Sequence, residues 1–321
     1  MLTSETFTGS LSKTIYYVYN NDFNLINMTY ACAATGFTHD NDGLLKGSGS
    51  FSISRNAQNG LPESVSGGSL TLDRTFNGYG ETETQIHTVS TQNLLTWNLT
   101  RDNNGRVTNK IQTVNGIDAS FDYTYDAMGR LLTVTKDGTL VEEYQYGVNG
   151  SKTYEMNTAR GIAGRALAYS DEDHLLSAGD IYYSYNLDGF LSTRTQGSDV
   201  TAYDYSSRGE LLSVTLPDST LVEYVHDPLG RRIAKKVNGS IVEKYLWRGL
   251  TNLLAVYDGS DNLLQRFEYA DGRMPLSMTA GGTVYYLMYD QVGSLTLVAD
   301  ASGNVVKQIE YDTFGNIIVD S

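Results

Sequence analysis

One short frame recurs along most of this chain and limits what it can become. An aromatic residue, any residue and a second aromatic are followed by a polar residue, two variable positions, glycine and a strand-like run. "YTYDAMGRLLTVT" (123–135) returns as "YSYNLDGFLSTRT" (183–195), "YDYSSRGELLSVT" (203–215) and "YVHDPLGRRIAKK" (224–236). Looser copies lie at 17–29, 37–49, 74–86, 97–110, 287–299 and 309–321. Gly105, Gly129 and Gly150, then Gly189, Gly209 and Gly230, mark a period of roughly 20 residues, the signature of stacked equivalent units joined by loops of variable length.

Each unit has a physical reading. Tyr123 and Tyr125 stand two apart, so in a strand both rings project from one face. Asp126 can cap a bend with its side chain, and Gly129 accepts positive φ, the pattern of a hairpin loop closed by a glycine bulge. Arg130 then opens the return strand, which carries Leu132 and Val134 on one face. The same places are held by Tyr183, Tyr185 and Gly189, by Tyr203, Tyr205 and Gly209, and by Tyr224, Asp227, Gly230 and Arg231. Tyr289, Asp290 and Gly293 repeat them, as do Tyr311, Asp312 and Gly315. A second, simpler hairpin tip is expected at "KDG" (136–138), "VNG" (114–116 and 237–239), "LPDS" (216–219) and "DASG" (300–303). A unit of two strands cannot bury a face alone, so neighbours must stack into one extended sheet. The expected fold is all-β, built from repetitive antiparallel hairpins.

Composition agrees with that fold and narrows the partners. The chain has 24 Tyr and 32 Gly against 4 Pro, which favours short strands separated by turns. Its net charge of −14 repels phosphate backbones and anionic lipid, which argues against nucleic acid as a partner. No apolar run reaches the roughly 18 residues of a membrane-spanning helix. Cys32 is the only cysteine and is expected to be a buried free thiol. The first residues lack the basic start and apolar core of a signal peptide, so any export address is expected outside this sequence. The patterned segment begins almost at once, as it would in a piece of a longer protein.

"YTYDAMGRLLTVTKDG", "HDPLGRRIAKKVNG" and "YDQVGSLTLVADASGNVVKQIEYDTFGNI" resemble the YD repeat of the RHS family, whose members include bacterial Rhs proteins, the C component of Tc toxin complexes and the animal teneurins. The resemblance covers residues 15 to 321, with 1–14 as a lead-in and no separate globular domain. It implies a spiralling β-sheet strip, here a partial or open shell, which in the full-length parent encloses and protects a C-terminal effector or toxin polypeptide. The family's cargo and its aspartate-dependent self-cleavage segment are expected beyond Ser321. A secreted or cell-surface location follows from the same resemblance, with secretion machinery or surface glycan as further partners. Asp227-Pro228-Leu229-Gly230 looks like a processing motif in isolation. In register it falls on the Asp126-to-Gly129 turn, with Tyr224 and His226 in the aromatic places.

No catalytic, cofactor-binding or metal site is expected. His39 and His226 occupy second aromatic places, His174 stands where Arg130 does, and His87 is isolated. "HDNDG" (39–43) lacks the later ligands of a calcium loop and reads as a turn. Glu142 and Glu143 would point to opposite faces of a strand, a poor arrangement for an acid/base pair. The tyrosine ladder, with Trp97 and Trp247, leaves a second function open: a cell-surface module that stacks aromatics on carbohydrate or protein. An enzyme is the third and weakest reading.

Overall fold

The computed structural model describes residues 1–270 and 272–321. Among them the chain is all-β, with 31 strands and one single-turn 3-10 helix, Thr158–Arg160. Strands pair antiparallel with their neighbours in sequence, so the chain advances hairpin by hairpin. The segment expected as a lead-in carries the strand Ser4–Phe7, which pairs with Lys13–Tyr19.

Two kinds of turn join the strands. At the long turns the backbone closes twice: Asp126 N donates to Arg130 O at 2.9 Å and Gly129 N to Asp126 O at 3.0 Å. Gly129 sits at φ 83°, and the ladder slips between Thr124 and Tyr125, as a glycine bulge requires. The short turns need two successive residues at positive φ, which Asn115-Gly116, Asp137-Gly138 and Asn238-Gly239 supply. "LPDS" and "DASG" depart from the expectation of simple tips. Leu216 N to Thr220 O and Asp300 N to Asn304 O reproduce the double closure of the long turns. Cys32 departs too: with Ala31 it forms a short turn at φ 49° and 61°, and a side chain at such a tip points to solvent, so the thiol is exposed.

The chain divides into two compact units. The first comprises Met1–Ser120, Tyr245–Tyr257 and Asp261–Ser321. Its core is a layer of Phe51, Val65, Leu70, Leu72 and Leu95 packed on Leu276, Tyr286, Met288 and Leu297 from the later strands. Polar side chains stitch the same two layers together. Tyr30 Oη donates to Phe267 O at 2.7 Å, Ser48 Oγ to Tyr269 O at 2.5 Å, and Trp97 Nε1 to Tyr289 O at 3.2 Å.

The second unit, Phe121–Lys244 with Asp258–Ser260, is one continuous meander. Its buried apolar set is small: Val134, Tyr144, Leu167, Ala178, Ile181, Ile233 and Ala234. Buried charge is compensated locally. Glu155 receives Lys152 Nζ at 2.5 Å and Arg165 Nε at 2.7 Å, while Glu142 receives Tyr144 Oη at 2.5 Å. These hydrogen bonds outweigh the burial that would raise Glu155, so its carboxyl stays below the ordinary range.

Candidate functional site

The feature repeated often enough to define a working surface is the ladder of long turns. In those that open on Asp, Asn or Ser, the opening side chain satisfies its own bend. Asp126 Oδ1 accepts from Met128 N and Arg130 N, both at 2.9 Å, and Oδ2 accepts from Arg130 Nε at 2.6 Å. Asp102 and Arg106 repeat the arrangement, as do Asp227 and Arg231, with Nε to Oδ2 at 2.7 Å in both. Asp290 and Asp312 accept from the two backbone N–H groups in the same way. Asp126 is held below the usual carboxylate range by the Arg130 backbone N–H and guanidinium; for Asp102 the Arg106 guanidinium leads.

The second aromatic of each frame occupies one register throughout. Tyr125 faces Leu131, Tyr185 faces Leu191, Tyr205 faces Leu211, Tyr289 faces Leu295 and Tyr311 faces Ile317, always two residues past the glycine. His226 takes that place opposite Arg232. The first aromatics Tyr123, Tyr183, Tyr203 and Tyr224 pair with Val134, Arg194, Val214 and Lys235. Arg232 also caps Tyr224, its guanidinium carbon 3.8 Å from the ring centroid.

Neighbouring units are joined through these rings. Tyr146 Oη donates to Leu131 O at 2.8 Å, Tyr185 Oη to Leu175 O at 2.9 Å and Tyr289 Oη to Pro275 O at 2.7 Å. The side chain following the positive-φ residue of the turn, glycine in most copies and Asp173 before His174, reaches the next unit at several places. Arg130 lies 4.7 Å from the centroid of Tyr146, His174 stacks on Tyr185 at 4.5 Å, and Phe190 stacks on Tyr205 at 5.2 Å. Phe190 also covers Gly209, as His174 covers Gly189 and Met274 covers Gly293. The sequence shows that this position is large or planar in many copies, but only the packing reveals that it serves the following turn rather than its own.

This arrangement has a structural chemistry, since the turn carboxylates are occupied by their own backbone and, at Asp102, Asp126 and Asp227, by arginine. "HDPLGRR" is such a turn: Asp227 accepts Leu229 N, Arg231 N and Arg231 Nε. Among the described residues no group of three or more His, Cys, Asp or Glu is placed to hold a metal ion. Trp97 corrects the aromatic-surface expectation. It is 3% exposed and its indole N–H is used inside the first unit, so it offers no stacking face; Trp247 is half-buried. Tyr16, Tyr79 and Tyr182 are the tyrosines that stand out.

Comparison with known proteins accounts for the ladder. Teneurin-4 of Homo sapiens is 28% identical over 260 residues, 78% of this chain and 9% of that protein. The tRNA3(Ser)-specific nuclease WapA of Bacillus spizizenii is 27% identical over 197 residues, 61% of this chain and 7% of that protein. The chain therefore spans less than about a tenth of either relative. The crystal structure of TcdB2-TccC3 matches the fold with a TM-score of 0.64 at 14% identity, over 98% of this chain and 19% of that one. The model of the teneurin YD-shell matches residues 1–321, and the chain belongs to that family.

Proposed function

We propose that this chain is a wall segment of a YD-repeat shell, which in its full-length parent encloses and protects a C-terminal effector polypeptide. The observation that carries the reading is the reach of the side chain that ends a long turn onto the next unit, Arg130 on Tyr146, His174 on Tyr185 and Phe190 on Tyr205. Contacts of this kind make a continuous strip whose consecutive strands protect each other's backbone, which suits a wall. The role is steric and structural rather than catalytic. Residues 15–321 act as one repeat array, and the parent works at the cell surface or outside the cell.

Limited proteolysis of the full-length parent tests this. The segment following the repeats should survive protease in the intact protein and be digested when expressed alone. Equal digestion of the two forms would overturn the reading.

A further inference from the structure

In the first unit the ladder departs from its own pattern beside a cavity of about 270 Å³. His39 holds the second aromatic place of its frame, opposite Leu45. Tyr146, Tyr185 and Tyr289 use that place to donate a hydroxyl to a neighbouring carbonyl. The His39 ring has no hydrogen-bond partner among the described residues and lines the cavity instead. Phe37, two residues earlier on the same face of Ala33–His39, lines it as well.

Arg248 and Asn252, at the two ends of the turn joining Ser240–Arg248 to Asn252–Tyr257, complete the polar lining that matters here. Arg248 is half-buried, with its guanidinium carbon 5.9 Å from the Phe37 ring centroid, and the guanidinium has no hydrogen bond or ion pair among the described residues. Neighbouring arginines are engaged. Arg266 is matched by Glu268 at 2.5 Å, and Arg55 donates to Leu45 O at 3.1 Å and Gly60 O at 3.0 Å. Asn252 Oδ1 accepts from Thr251 Oγ1 at 3.1 Å, which leaves Nδ2 as a donor without an acceptor. The unmet nitrogens of His39, Arg248 and Asn252 are not sealed by protein, unlike those of His87.

Among the described residues no Asp or Glu lines this cavity, so its positive charge calls for an anion from outside. One guanidinium fork matches a planar carboxylate of single charge, whereas a phosphate dianion needs more cations. Met28 and Leu254, both buried, add an apolar wall to Phe37. The volume lies at the small end of the about 300–1,000 Å³ that drug-sized ligands occupy, which limits the body to about one ring.

We propose that this cavity binds a small monocarboxylic acid with a compact apolar body. Arg248 takes the carboxylate, Asn252 Nδ2 and the His39 ring donate to its oxygens, and Phe37, Met28 and Leu254 take the body. Nothing in the turn ladder requires such a ligand, so the proposal stands apart from the shell reading.

Titration calorimetry on the whole chain with 3-phenylpropionate tests it, and the heat should saturate. 3-Phenylpropionamide, which lacks the charge, should bind at least about tenfold more weakly, and inorganic phosphate, which lacks the apolar body, should not displace the acid. Arg248→Met should weaken the acid by at least about tenfold while leaving the far-ultraviolet circular dichroism and the urea midpoint unchanged, because its guanidinium holds no bond within the fold. Arg208→Gln, an exposed cation of the second unit, should leave binding as it is. If Arg248→Met does not fold, the comparison of acid with amide on the natural chain decides. Absence of saturable binding, equal affinity for acid and amide, displacement by phosphate, or equal losses in Arg208→Gln and Arg248→Met would overturn the proposal.

Discussion

The guanidinium carbon of Arg130 lies 4.7 Å from the ring centroid of Tyr146, while its Nε donates to the Asp126 carboxylate at 2.6 Å. One cation thus closes its own turn and covers the aromatic of the next unit. A partly exposed cation over an aromatic face contributes about 0.5–1 kcal/mol. A double-mutant cycle with Arg130→Met and Tyr146→Leu, read by urea denaturation, should give a coupling of about that size. Strict additivity would show that the stacking carries no energy between units.

Asp227 is the residue whose sequence context most suggests chemistry. Asn would keep one oxygen for Leu229 N and Arg231 N but lose the pairing with the buried Arg231 guanidinium. Asp227→Asn should therefore fold, remain full length by mass spectrometry and lose about 1–2 kcal/mol, with Asp227→Ala losing more. A cleavage product present in the natural chain and missing from Asp227→Asn would restore the processing role.

Phe23 occupies the place that glycine holds in most long turns, at φ 65° and 72% exposed. The left-handed conformation costs a non-glycine residue about 1–2 kcal/mol, partly offset by the roughly 0.5–1 kcal/mol of backbone freedom that glycine loses on folding. Phe23→Gly should stabilise the protein by about 0.5–1 kcal/mol, visible as a higher melting temperature. An unchanged or lower melting temperature would mean that the exposed ring makes contacts worth more than the strain.

The register of the ladder was legible because it is local: Tyr125, Asp126 and Gly129 fix strand face, turn and bulge within five residues. Tertiary partners were not legible. Trp97 reads as a surface platform until it is placed beside Tyr289, 192 residues away, and Tyr30 gives no hint that its hydroxyl belongs to Phe267. Cys32 misled for the opposite reason. Composition says that cysteines are buried, but a short turn at Ala31-Cys32 has no interior to bury one in. Arg74, Gln85 and His87 alternate along strands as ordinary polar positions do, and only the facing layer turns them inward.

Gly68 and Tyr286 lock the two layers of the first unit. Gly68 sits at φ 57°, and a β-carbon there would lie 2.1 Å from Tyr286 Oη, which accepts from Ser69 N at 2.8 Å. Gly68→Ala should cost about 2 kcal/mol or more, since it combines backbone strain with a clash against a buried ring. Tyr286→Phe should cost about 1–3 kcal/mol by leaving Ser69 N unpaired. Together they should cost less than the sum, because the phenylalanine ring removes the clashing oxygen. Additive losses would show that the clash is relieved elsewhere.

His87 should make the protein sensitive to mild acid. Burial, with Arg74 nearby, pushes the imidazole down to about 3 from its ordinary value of 6.5. The folded state refuses a proton that the unfolded chain accepts below pH 6.5, so the contribution is complete above 6.5 and lost as the pH falls toward 3. While only the unfolded chain binds that proton, the loss approaches about 1.4 kcal/mol per pH unit. His226, also lowered by burial, adds to the slope with the same sign. Urea midpoints between pH 6 and 4 should fall steeply in the natural chain and less steeply in His87→Leu, by about one proton's share. Identical slopes in the two proteins would mean that His87 takes up its proton without unfolding.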